Sequence, residues 1–162
     1  MPKGNERSQA GREALRERLH LAIGDMDDTA AAARWLFETH PASDGDLPWQ
    51  VRQVLEGGLF ATFARAFNTS RGEPGLPAAP TSGLISEQRE VYNWAIDERD
   101  TAWAHIDRSG TRRAVLTAQG EMLVTWRPPS PDELRGLTDL AELLAARYRR
   151  EVEELERDRT QG

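Results

Sequence analysis

Between Arg12 and His40 the sequence "REALRERLHLAIGDMDDTAAAARWLFETH" sets Leu15, Leu19, Ala22, Ile23, Met26, Ala30, Ala33 and Phe37 at helical intervals. That spacing gathers the apolar side chains on one side of a helix and leaves the charged residues on the other. A helix with a single apolar stripe must bury it against another element, so packed helices are the expected architecture. The pattern recurs. "PWQVRQVLEGGLFATFARAF", from Pro48, carries Val51, Val54 or Leu55, Leu59, Thr62 or Phe63, and Ala66. Its Gly57-Gly58 pair costs about 1 kcal/mol of helix propensity per glycine and points to a close helix crossing. A third helix is expected from about Leu84 to Ile106, capped by Ser82 or Ser86, with Leu84, Val91, Ala95, Ala102 and Ile106 on its apolar arc. A fourth opens at Ser130-Pro131-Asp132-Glu133, with proline in the first turn and acid at the positive end of the helix dipole. It carries Leu134, Leu137, Leu140 or Ala141, Leu144, Tyr148, Val152 and Leu155.

Between the third and fourth helices, Ala114 to Ala118 and Met122 to Trp126 are β-leaning runs separated by Gln119-Gly120, which reads as a hairpin within 112–127. The fold class is therefore all-α: a bundle of four main helices with a β-hairpin between the third and the fourth. One domain is expected over residues 9–158, after a frayed N-terminus at 1–8 and before a short tail at 159–162. The segment "NTSRGEPGLPAAPTSG", Asn68 to Gly83, is a long loop rich in proline and glycine. Each helix has one apolar stripe, so packing on a second copy is also plausible, and a homodimer is expected.

The chain has no cysteine, which excludes disulfides and thiolate metal sites. No run reaches the roughly 18 apolar residues of a membrane span, and the polar N-terminus "MPKGNERSQAGRE" lacks the core of a signal peptide. A cytoplasmic protein that does not enter the membrane is expected. Lys3 is the one lysine among 21 basic residues, so arginine frequency alone says little about nucleic acid. The net charge of −6 adds that any contact with a polyanion must be local. The segment 99–127 is the candidate, because Arg99, Arg108, Arg112, Arg113 and Arg127 outnumber Asp100, Asp107 and Glu121.

"DERDTAWAHIDRSG", Asp97 to Gly110, places Arg99, Asp100 and His105 near the end of the third helix. At about 100° per residue Arg99 and His105 flank the centre of the apolar arc and Asp100 points away. They stand about 9 Å apart along the axis, a gap that a bound phosphate fits. Two structural readings stand beside this one. Arg99 can pair with an acid on a neighbouring turn, and His105 can sit at the helix C-terminus, where an imidazolium is favoured. The spacing is also met by Arg34 and His40 in "RWLFETH", although only Arg99 precedes a basic segment. His20, His40 and His105 are scattered and lack acidic partners at ligand spacing, so neither a metal nor another cofactor is expected. Trp94, Trp103 and Trp126 could stack on bases, but such residues more often anchor a core or an interface.

"RDTAWAH", Arg99 to His105, resembles the R-D-K-x-x-A-H stretch of HEPN domains, helical bundles of bacterial toxin and defence systems. "LFATFARAFNTSRG", Leu59 to Gly72, is similar to their second helix and the loop after it. Thr101 stands where the family commonly has lysine, and the hairpin is not a general family feature. The resemblance implies metal-independent RNA cleavage by attack of a 2′-hydroxyl on the adjacent phosphate. His105 would be its general base or acid. Arg99 would stabilise the phosphate oxygens, and Asp100 would orient one of the two. It also implies a cleft shared by two copies and an antitoxin or other partner protein. Arg65, Arg71, Arg108, Arg112 and Arg113 are the candidate RNA phosphate contacts. The competing readings are a non-catalytic helical dimer that binds a protein or nucleotide, and an unrelated bundle serving in assembly.

Overall fold

The computed structural model describes residues 3–39, 47–68, 76, 79–103, 112–116 and 122–160. Four helices make up the bundle: α1 (Lys3–Thr39), α2 (Trp49–Arg65), α3 (Ser86–Trp103) and α4 (Pro131–Thr160). Between α3 and α4, β1 (Arg112–Leu116) and β2 (Met122–Trp126) lie antiparallel, with Arg112 opposite Trp126 and Leu116 opposite Met122. β1 starts at Arg112 rather than Ala114, and the turn residues Gln119 and Gly120 lie outside the described residues.

The α1–α4 pair is the spine of the fold, and its stripes follow those read from the sequence, with Leu36 and Ala145 added and Phe37 only partly buried. Leu19, Ala22, Met26, Ala30, Ala33 and Leu36 of α1 meet Leu134, Leu137, Leu140, Ala141, Leu144, Ala145, Tyr148 and Val152 of α4 in one core. The two helices run antiparallel, as their surface ion pairs record: Arg34 reaches Glu142, and Arg149 reaches Asp27 at 2.7 Å. These exposed pairs fix register more than they stabilise, since each is worth well under about 1 kcal/mol. Both helices are longer than expected. α1 begins at Lys3, giving most of segment 1–8 a helical backbone, and continues unbroken past Gly24; α4 runs to Thr160.

The start of α4 is a capping box. Ser130 Oγ accepts the Glu133 backbone N–H at 3.2 Å, and Glu133 Oε2 accepts that of Ser130 at 2.7 Å. Gly136, one turn later, lets α3 come close: a Cβ there would stand 3.1 Å from a methyl of Val91. α3 starts at Ser86, so Leu84 is buried from the preceding turn rather than from the helix. Gly83 in that turn takes a φ of 73°, a left-handed conformation that glycine adopts at no steric cost.

α2 departs from its expected stripe. Toward its C-terminal end Leu59, Phe63 and Ala66 are buried as the pattern suggests, with Phe60 beside them, but Val51, Val54 and Leu55 are exposed, and Arg52 and Glu56 take the buried positions of the N-terminal half. A straight helix presents one face along its length. In α2 that face is set by the aromatic contacts of its second half: Phe60 on Trp94 with ring centroids 5.2 Å apart, and Phe63 and Phe67 on Tyr92 at 5.9 and 5.3 Å. Two buried phenylalanines and the partly buried Phe67 outweigh three smaller aliphatic residues, and the first two turns are carried round with them.

Candidate functional site

The last carbonyls of a helix have no intrahelical donors and carry partial negative charge. At the end of α2 arginines from three helices gather around them. Buried Arg18 of α1 donates its Nη2 to Ala66 O at 2.7 Å and to Asn68 O at 2.5 Å. Arg65 turns back to α1, its Nε 3.0 Å from Asp25 Oδ1. Arg99, arriving from α3, donates its Nη1 to Asn68 Oδ1 at 3.3 Å.

Arg99 also donates its Nε to Asp100 Oδ1 at 2.7 Å, with Nη2 2.5 Å from the same oxygen. A guanidinium has five N–H donors, so among the described residues these contacts leave one N–H on each terminal nitrogen. The side chain is 28% exposed, enough for an anion to reach those donors. Burial pushes the Tyr92 phenol above its ordinary value, and the nearby Arg99 charge pulls it back in part. The end of α2 thus holds Arg99, Asp100 and Arg65 of the expected set in one neighbourhood. Among the described residues Arg99 pairs with Asp100 and Asn68; Asp107, another acid it could pair with, lies outside the described residues. His105, Arg71 and Arg108 lie outside the described residues. Arg112 and Arg113 open β1, of which only the backbone is described.

A second polar group, which sequence reasoning missed, lies in the interior. Arg52 Nε donates to Glu56 Oε1 at 2.7 Å across one turn of α2, and Glu98 of α3 is close enough to act on Glu56 by its charge. Arg127, which grips Glu133 through two hydrogen bonds of 3.0 and 2.8 Å, also feels Glu98. The Glu56 side chain is only 2% exposed, and its Oε2 has no hydrogen-bond partner among the described residues. Burial pushes its carboxyl from 4.5 up to about 8, against the opposing pull of Arg52. The group therefore holds its proton at neutral pH. So deeply buried, it is out of reach of a substrate. The i,i+4 spacing of Arg52 and Glu56 was visible, but such pairs are ordinary on solvated helix faces, and nothing local marks this one as buried.

Among the described residues no group of histidine and acidic side chains could hold a metal ion, and no helix is long and apolar enough to cross a membrane. In comparisons with known proteins, no family model, curated protein or solved structure matches the chain. The functional reading therefore rests on the residues at the end of α2 and on the resemblance of the "RDTAWAH" stretch.

Proposed function

We propose that this chain is a HEPN-like endoribonuclease that cleaves RNA without a metal ion. It acts as a cytoplasmic homodimer of a toxin or defence system, restrained by an antitoxin or other partner protein. The observation that carries the reading is Arg99: a partly exposed guanidinium steadied by Asp100 and Asn68, with an N–H on each terminal nitrogen to offer a phosphate. His105, six residues farther along the chain, supplies the imidazole. It takes the proton from a ribose 2′-hydroxyl as that oxygen bonds to the adjacent phosphorus. The bond from phosphorus to the 5′-oxygen breaks, and this oxygen leaves with a proton from an imidazolium or from water. The products are a 2′,3′-cyclic phosphate and a 5′-hydroxyl. Arg99 meets the charge that builds on the phosphate oxygens, and Arg65, Arg71, Arg108, Arg112 and Arg113 hold the flanking backbone.

The test is cleavage of a mixed RNA pool in EDTA by the purified chain, beside folded Arg99→Ala and His105→Ala variants. Cleavage to cyclic-phosphate ends that disappears in both variants supports the nuclease. Activity that survives both overturns this site. The exposed Val51, Val54 and Leu55 favour a second reading, a non-catalytic helical dimer that binds a protein or nucleotide. RNA left intact by every form is its expected outcome.

A further inference from the structure

The outer face of α2 is unusual for this chain. Its exposed positions from Gln50 to Ala61 are Gln50, Val51, Val54, Leu55, Gly58 and Ala61, with no charge among them, in a protein whose residues are 30% charged. The aliphatic residues lie at i, i+3 and i+4, the spacing of a stripe that packs on another helix. Here no described residue of the chain covers it, since the opposite face of α2 makes the intramolecular core. Val54, Gly58 and Thr62 form an i,i+4 ridge with its smallest member at the centre. A Cβ built on Gly58 would meet nothing within 4 Å, so the gap it leaves faces outward.

Another exposed apolar residue stands at the same level on the neighbouring helix. Arg18 and Asp25 of α1 bind the C-terminal end of α2, so the two helices run antiparallel. Trp35 then lies as far beyond Asp25 as Leu55 lies before Arg65, and the two are level. Trp35, Val51, Val54 and Leu55 are each 39–63% exposed. Their exposed surfaces sum to roughly 350 Å² per copy, roughly half of what one partner buries in a standard interface.

We infer that this face binds a second copy of the same chain, the two α2 helices crossing at Gly58 about a two-fold axis. An isologous contact sets every residue near the axis against its own copy, so any charge there would meet its like. A charge-free stripe in an otherwise highly charged surface is what such an axis requires, and it offers nothing to nucleic acid or to a charged partner. Gly58 lets the helices approach closely, and Val54 and Leu55 of each copy flank the crossing. The inference deepens the homodimer of the proposed function by naming its face, and it does not depend on the nuclease chemistry.

The experiment is sedimentation equilibrium of the full chain, with Val54→Glu, Gly58→Leu and, as a control on α4, Leu143→Glu. The wild type and the control are expected to be dimers of equal affinity. Val54→Glu and Gly58→Leu should raise the dissociation constant by roughly tenfold or more while keeping the wild-type helical circular dichroism. Neither site touches the folded core, so loss of the dimer would not come from unfolding. A wild-type chain that stays monomeric at the highest soluble concentration overturns the inference. So does a dimer that both substitutions leave intact. RNA cleavage measured on the same samples is read separately, so an inactive dimer through this face would sink the nuclease and keep the interface.

Discussion

Replacing Glu56 by glutamine should remove a loss of stability that this protein suffers as pH rises. The carboxyl titrates near 8 in the folded chain and near 4.5 when exposed. Between those values the native state holds a proton that the unfolded state has released. Stability therefore falls with rising pH across this window, being greatest below about pH 4.5 and lowest above about pH 8. At about 1.4 kcal/mol per pH unit, the interval from 4.5 to about 8 gives an upper limit of about 5 kcal/mol for this one group. Charge counting supports the sign. Besides Arg52, Glu56 feels the like charge of Glu98, and protonating Glu56 removes one of two negative charges from a site where an excess charge is costly. Glutamine keeps an oxygen for the Arg52 Nε and cannot ionise. The assay is urea unfolding of wild type and Glu56→Gln at intervals from pH 5 to 8. The stability of the variant relative to wild type should climb steadily with pH, reaching about 3 kcal/mol or more in its favour at the alkaline end. Parallel curves for the two proteins would refute the reasoning, because they would mean that Arg52 keeps the carboxyl ionised in spite of its burial.

Three other substitutions probe the frame. Arg18→Ala removes the buried guanidinium that holds Ala66 O and Asn68 O and should destabilise the chain by about 3 kcal/mol, seen as a lower calorimetric midpoint. Ser130→Ala breaks one half of the capping box and should cost about 1 kcal/mol in urea unfolding. Gly58→Ala, which adds a Cβ into open space in a helix interior, should stabilise the isolated chain by about 0.5–1 kcal/mol in unfolding experiments run dilute enough to keep it monomeric.

The part of the candidate site that the sequence could announce is the part held on one helix. Arg99 and Asp100 are adjacent, and their ion pair is local. Asn68 and Arg18, which steady that end of α2, are 31 and 81 positions away from Arg99 in the chain. No spacing rule connects them. They meet because α1 and α3 both pack against the last turn of α2.

By itself the sequence determined the helices, the stripes of α1 and α4, and the Ser130–Glu133 cap. Those features depend on periodicity and on bonds within four residues, and both are written in the local order of the chain. It did not determine which face α2 turns inward. The spacing pointed to Val51 with Val54 or Leu55, whereas the face turned inward carries Arg52, Glu56, Phe60 and Phe63, and a single straight helix cannot bury both. The choice belongs to the tertiary structure, because the large aromatic contacts of Phe60, Phe63 and Phe67 with α3 outweigh the cost of carrying Arg52 and Glu56 inside. That one rotation buries an acid that titrates near neutrality and leaves an uncharged face for a partner.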